Sequence, residues 1–196
     1  ADQLGAFAGQ ATETGIMKVT VEYEGQVAAL NTRPLTALIL QGLLKPLLSD
    51  SVNMVNAPLV AKERNIDLTE IKHDREGDYH TLVSVTAATA DGERRVAGTL
   101  FGASGPRLVE MFGVEVEAEL KGTMIYIVNT DAPGFIGKLG TTLGEAGINI
   151  ATFNLGRRAA GGEAVALIAV DGIVPDDVVA ALCALAGVRE VVPLRF

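Results

Sequence analysis

The chain has 196 residues, 16 of them basic against 24 acidic, and the resulting net charge of −8 repels a nucleic-acid backbone unless a local basic stripe opposes it; none is visible. With 48% hydrophobic and 20% charged residues it reads as a compact soluble protein of one large or two small domains. No apolar run reaches the roughly 18 residues that span a bilayer, and the single cysteine, Cys183, excludes an internal disulfide or a cysteine-built metal site and fits a reducing cytoplasm.

The chain opens Ala-Asp-Gln-Leu-Gly, with no signal peptide and no initiator methionine, and is expected to come from the interior of a longer protein. Residues 1–14 are expected to be the tail of a preceding domain or a linker helix, with Leu4 and Phe7 on one side. From Met17, the alternation of Met17, Val19, Val21 and Tyr23 with Lys18, Thr20, Glu22 and Glu24 predicts a half-buried strand. Thr32-Arg33-Pro34 is a helix start, threonine capping and proline tolerated in the first turn, and Pro46 ends or bends that helix. Asn56-Ala57-Pro58 opens a shorter helix, with Asn65 as a left-handed terminator.

Ile66 to Lys72 reads as a strand, and His73 to Asp78 as an exposed polar turn. Tyr79 to Ala90 and Glu93 to Phe101 form a hairpin about Asp91-Gly92, whose turn positions favour positive φ. Gly102 to Pro106 breaks the run, and Arg107 to Leu120 gives two short strands turning near Gly113. The first part, residues 15–121, is therefore expected to be an α+β domain with an antiparallel sheet. His73 and His80 fall in or beside one exposed turn with no nucleophile or metal-ligand pattern, so no catalytic residue and no metal site is expected.

Residues 122–196 read as βαβ followed by βαβ, which implies a ferredoxin-like βαββαβ domain, an antiparallel sheet backed by two helices. Met124 to Val128 suits a strand buried on both faces. Asn129 to Gly134 is a turn and helix-start cluster in which Asp131 can cap the free amides of the next turn. On the helix that follows, Phe135, Ile136, Leu139, Leu143 and Ala146 are expected to face the sheet. Gly137, Gly140, Gly144 and Gly147 form a second stripe, expected to admit a neighbouring helix or subunit. Gly134-Phe135-Ile136-Gly137-Lys138 is two residues too short between its glycines for a phosphate loop, and no dinucleotide fingerprint opens the helix. Cys183 is expected at the edge of the last helix's apolar face as a packed small hydrophobe.

The loop offers chemistry for a small zwitterion. Helix-start amides favour a carboxylate, and Asp131 with the amide oxygens of Asn129 and Asn149 suits an ammonium group. Structural capping by Asp131 is the competing reading.

Asn129-Thr130-Asp131-Ala132-Pro133-Gly134, with Gly147-Ile148-Asn149-Ile150 one helix later, resembles the amino-acid-binding ACT domain. Asn31-Thr32-Arg33-Pro34-Leu35-Thr36, the run Val55 to Arg64 and Gly98-Thr99-Leu100 resemble the intermediate domain of long-form D-3-phosphoglycerate dehydrogenases. The resemblance implies a carboxy-terminal regulatory portion, cytoplasmic and homo-oligomeric, of an enzyme that uses NAD to oxidise 3-phosphoglycerate in serine synthesis. It implies no cofactor and no dehydrogenase activity in this chain. It also implies L-serine, or a similar small amino acid, held by Asn129 and Asp131 of one subunit and Asn149 of another, with main-chain amides near Pro133 and Gly134 on its carboxylate. An anion site in the first domain would draw on Arg33, Lys62, Arg64 and Arg107. The alternatives are the regulatory portion of an iron–sulfur L-serine dehydratase and a free-standing amino-acid sensor.

Overall fold

The computed structural model describes residues 1–12, 15–48, 51–74, 77–102 and 105–196. The turn expected at His73 to Asp78 includes Arg75 and Glu76, and the break expected at Gly102 to Pro106 includes Ala103 and Ser104; these four lie outside the described residues. The chain divides into two compact units, Ala1–Gly113 and Val114–Phe196.

In the first unit, α1 (Asp2–Gln10) is followed by β1 (Lys18–Gly25), a 3-10 turn (Gln26–Ala29), α2 (Arg33–Leu48), α3 (Ala57–Glu63), β2 (Asp67–His73), β3 (Thr81–Thr89), β4 (Gly92–Leu100) and β5 (Pro106–Met111). The strands lie in the order β2-β1-β3-β4-β5. The antiparallel expectation holds for β1-β3-β4-β5 but not for β2, which pairs parallel to β1 with Lys18 opposite Asp67 and Glu24 opposite His73. The reason is topological: α2 and α3 carry the chain back to the end where β1 began, so β2 leaves in the same direction. Thr89 pairs with Gly92, which leaves Ala90 and Asp91 as the hairpin loop, and the positive φ of 131° falls on Gly92 rather than on Asp91. Asn65 does terminate α3 in the left-handed region, at φ 56°.

The first helix, read from the sequence as a tail or linker, packs on α2 inside this unit, with Phe7 and Ala8 fully buried. Glycine makes the approach possible. A Cβ on Gly5 would stand 2.0 Å from the Ile39 carbonyl oxygen, one on Gly9 2.2 Å from that of Leu43, and one on Gly42 2.2 Å from that of Asp2.

A polar chain ties α2 to the parallel strand pair. The buried Tyr23 hydroxyl lies 2.8 Å from Thr36 Oγ1, which donates to Glu70 Oε2 at 2.6 Å, while Thr32 donates to Glu70 Oε1. Thr32 thus spends its hydroxyl on β2 rather than on a helix amide, and its carbonyl accepts from Thr36 N–H at 2.9 Å. Burial pushes the Tyr23 phenol up to about 12. Burial also acts to raise Glu70, but the two threonine hydroxyls, helped by Lys72 and Arg33, outweigh it and hold the carboxyl below its ordinary value of 4.5. Because the folded value is the lower one, the stabilisation is present above 4.5 and is lost as pH falls through the folded value. Glu70→Gln is therefore expected to unfold at lower urea than the wild type at pH 7, with the gap closing in acid. Thr36→Val, which strands the Tyr23 hydroxyl in the core, should cost about 1–3 kcal/mol in the same measurement.

The second unit holds β6 (Val114–Ala118), β7 (Thr123–Thr130), α4 (Phe135–Glu145), β8 (Ile150–Arg157), β9 (Glu163–Val170), α5 (Asp176–Cys183) and β10 (Val188–Arg195). The sheet order β10-β7-β9-β8, antiparallel throughout, is the expected βαββαβ arrangement. Met124 to Val128 is buried on both faces, and Ile125 and Ile127 meet Phe135, Leu139 and Leu143 of α4 and Leu182 of α5 in one core.

Two expectations for this unit are corrected and a third is narrowed. Ile136 is 53% exposed and Ala146 is exposed too, so the buried stripe of α4 is narrower than the helical wheel drew it. Nothing stands within 4 Å of a Cβ built on Gly137, Gly140, Gly144 or Gly147, so among the described residues no neighbouring helix uses the glycine stripe, which leaves another subunit as the expected neighbour. Gly147 has its own explanation: at φ 72° it ends α4 in a Schellman turn, with Ile148 N–H on the Leu143 carbonyl at 2.9 Å and Gly147 N–H on that of Gly144 at 3.0 Å. Cys183 is exposed, not packed.

Candidate functional site

The end of β7 and the start of α4 form the candidate site. Asn129 follows Ile125 and Ile127 on the helix-facing side of β7, between Val188 of β10 and Ala164 of β9. It is 1% exposed. Its Nδ2 donates to the Thr130 carbonyl at 2.8 Å, but its Oδ1 is buried with no donor, an uncommon and unfavourable state for an amide oxygen. Five residues on, Gly134 at φ 85° turns the chain into α4, and no side chain caps the helix start. One junction thus holds an acceptor that lacks a donor and, beside it, helix amides with the positive end of a dipole and no side-chain acceptor.

Asp131 does not cap α4 as expected. Its Oδ2 accepts from Arg157 Nη1 at 2.7 Å and from Gly161 N–H at 3.1 Å, and its own N–H donates to the Gly162 carbonyl at 2.8 Å. A guanidinium offers a charge-assisted bond that helix amides do not match, and it wins. The Arg157 hydrogen bond, then that of Gly161, holds the Asp131 carboxyl below its ordinary value of 3.8. Ala132, Pro133 and Gly134 are exposed at the rim.

Asn149 is elsewhere. It precedes β8 at the end of the sheet where Ile150 and Thr123 both pair with Val170, whereas Asn129 stands at the other end of β7. Six residues of strand separate the two ends, roughly 20 Å at strand rise. Asn149 Nδ2 donates to Asp171 Oδ2 at 2.7 Å, and its carbonyl accepts from Asp171 N–H at 3.0 Å. A single copy brings Asn129 and Asp131 together and leaves Asn149 out.

Comparison with known proteins agrees with this division. Residues 1–112 match the D-3-phosphoglycerate dehydrogenase intervening domain, and residues 123–187 match the ACT domain. The chain belongs to the D-3-phosphoglycerate dehydrogenase intervening-domain family. It is 35% identical over 179 residues to the D-3-phosphoglycerate dehydrogenase of Bacillus subtilis, covering 91% of this chain and 34% of that protein. It is 33% identical over 191 residues to that of Methanocaldococcus jannaschii, covering 97% of this chain and 36% of the relative. With the Archaeoglobus fulgidus enzyme it shares 34% over 192 residues, again 97% of this chain and 36% of the relative. The chain therefore spans about a third of the length of these relatives, and its two matched regions correspond to the regulatory region of D-3-phosphoglycerate dehydrogenases.

In the intervening domain, the four basic anion-site candidates do not converge. Arg33 begins α2 beside Glu70, Lys62 and Arg64 lie exposed at the far end of α3, and Arg107 sits in β5, three strands from β1, with its Nη1 on the Pro106 carbonyl at 3.0 Å. His73 pairs with Glu22 across the parallel strands at 3.0 Å. Among the described residues no group of three His, Cys, Asp or Glu stands close enough to hold a metal ion, and no helix is long and apolar enough to cross a membrane.

Arg157 and Gly161 of the ACT domain are the site residues that sequence reasoning passed over. The signal was a pair of arginines, Arg157 and Arg158, at the end of a strand before Ala-Ala-Gly-Gly, of which the antiparallel order of β7, β9 and β8 brings Arg157 to the end of β7.

Proposed function

We propose that this chain is the regulatory region of a cytoplasmic, NAD-dependent D-3-phosphoglycerate dehydrogenase and that its ACT domain binds L-serine, or a similarly small amino acid, between two copies of the chain. The observation that carries the proposal is the buried Asn129 Oδ1 without a donor beside the uncapped start of α4. An ammonium group supplies the missing donor, and a carboxylate on the same carbon answers the helix amides. The names of the relatives favour this over the serine dehydratase and free-standing sensor readings.

The position of Asn149 supports a shared site. β8 is an edge of the ACT sheet; if two copies join β8 to β8 antiparallel about a two-fold axis, the end of one sheet that carries Asn149 lies beside the end of the other that carries Asn129. Effector binding there would bias the relative setting of the two copies, with a coupling typically on the order of 1–3 kcal/mol.

NAD and 3-phosphoglycerate belong, in this proposal, to a catalytic portion outside this chain. The residues here do not fit a dinucleotide: the parallel β1–β2 pair opens onto the Thr32–Glu70 contact, not a glycine-rich turn, and the Gly134–Gly137 turn begins a helix on an antiparallel sheet.

Mixing variants tests the shared site. Asn129→Leu and Asn149→Ala should each lose L-serine binding as pure proteins. After subunit exchange in an equimolar mixture, about a quarter of the wild-type sites should return, because each mixed pair rebuilds one intact site. Undiminished binding by pure Asn149→Ala would place the site inside one copy.

A further inference from the structure

Three bonds fasten the β8–β9 hairpin to the mouth of the candidate site, and all three end on Asp131: Arg157 Nη1 and Gly161 N–H on its carboxylate, and its own N–H on the Gly162 carbonyl. The two side-chain acceptors at this strand end are therefore in opposite conditions. Asn129 Oδ1 is buried and has no donor, while the Asp131 carboxylate, two residues further, is already balanced by a cation from its own chain. An ammonium group drawn to Asn129 meets an Asp131 whose charge is in use.

We infer that Arg157 is an intramolecular competitor of the effector's ammonium group: it occupies the Asp131 carboxylate in the empty site, and the effector binds by taking its place there. The inference rests on the proposed amino-acid site. The motif from Asn129 to Gly134 contains no hint of it, because the competitor comes from the far edge strand, 26 residues later in the chain. The Arg157 side chain is 56% exposed and that of Asp131 23% exposed, so the pair stands in water and is easily exchanged. Exposed pairs of this kind alter an equilibrium by a factor of up to about five, which makes Arg157 a tuning residue and not a block. The Gly161 amide donates to the same Oδ2, so its environment changes with the exchange and the hairpin reports on occupancy. The exchange also sets selectivity: only a ligand that brings a cation gains from displacing Arg157. Glycerate, with a hydroxyl in place of the amine of serine, would not.

The test is calorimetric titration of the full chain with L-serine and with glycerate, using the wild type, Arg157→Gln and Arg157→Lys. Arg157→Gln should bind L-serine about two- to five-fold more tightly, with no gain for glycerate, and Arg157→Lys should stay near the wild type. In the wild type, saturation with L-serine should shift the Gly161 amide resonance. Urea unfolding of Arg157→Gln, expected to match the wild type, excludes a general change of fold. If Arg157→Gln binds L-serine equally or more weakly, the competitor role is overturned while the amino-acid site stands. If neither protein binds L-serine, both fall.

Discussion

Gly42→Ala is expected to destabilise the intervening domain by about 3 kcal/mol. In a free helix the same change would stabilise by about 0.5–1 kcal/mol, because glycine loses more backbone entropy on folding than alanine does. Here the new Cβ would stand 2.2 Å from the Asp2 carbonyl oxygen and 2.7 Å from the Ala6 nitrogen. These are backbone atoms in α1 and have no rotamer with which to move aside, so the two helices must separate. Overpacking typically costs 1–3 kcal/mol, and contacts this short belong at or above the top of that range. Gly5→Ala and Gly9→Ala, facing Ile39 and Leu43 at 2.0 and 2.2 Å, should behave alike. In α4 the sign reverses. Gly140→Ala meets open space and should stabilise the ACT domain by roughly 0.5–1 kcal/mol. Urea unfolding of Gly42→Ala and Gly140→Ala side by side checks both. Should Gly140→Ala instead weaken self-association, the α4 stripe is a contact between copies.

Asn129→Leu is expected to separate stability from binding. Leucine has a similar volume and removes a buried oxygen that lacks a donor, so the free protein should gain about 1–3 kcal/mol, less whatever the lost Thr130 contact contributed. The same change deletes the proposed acceptor for the ammonium group, so L-serine should produce no heat. A variant that unfolds at higher urea yet no longer binds marks a residue kept for its ligand at a cost in stability. Asp131→Ala offers the comparison: it removes an exposed ion pair and should change stability little.

The ACT half was legible because its signals are local. The run Met124 to Val128 and the turn cluster after it each act within a few residues, and the order βαββαβ then leaves little topological choice. In the first half the strands and helices were readable, but the direction of β2 depended on what the crossover does in space. The glycines show the same limit most plainly. Regular spacing drew attention to α4, where nothing approaches, while Gly5, Gly9 and Gly42, in two separate helices, make the close contact. Spacing along a helix identifies a face; it does not identify the neighbour. The site followed suit. Asn129 and the loop were found from the chain's own order, but Arg157 reaches Asp131 only through the pairing of three strands, and the capping role given to Asp131 from the sequence yielded to it.

The most direct measurement is a heteronuclear NMR titration of the chain with L-serine, following the Asn129 side-chain amide and the backbone amides of Ile136 and Gly137. Saturable shifts at those groups, absent in Asn129→Leu, are the expected result. Shifts confined to the intervening domain, or none at all at millimolar L-serine, would contradict an amino-acid site at the β7–α4 junction.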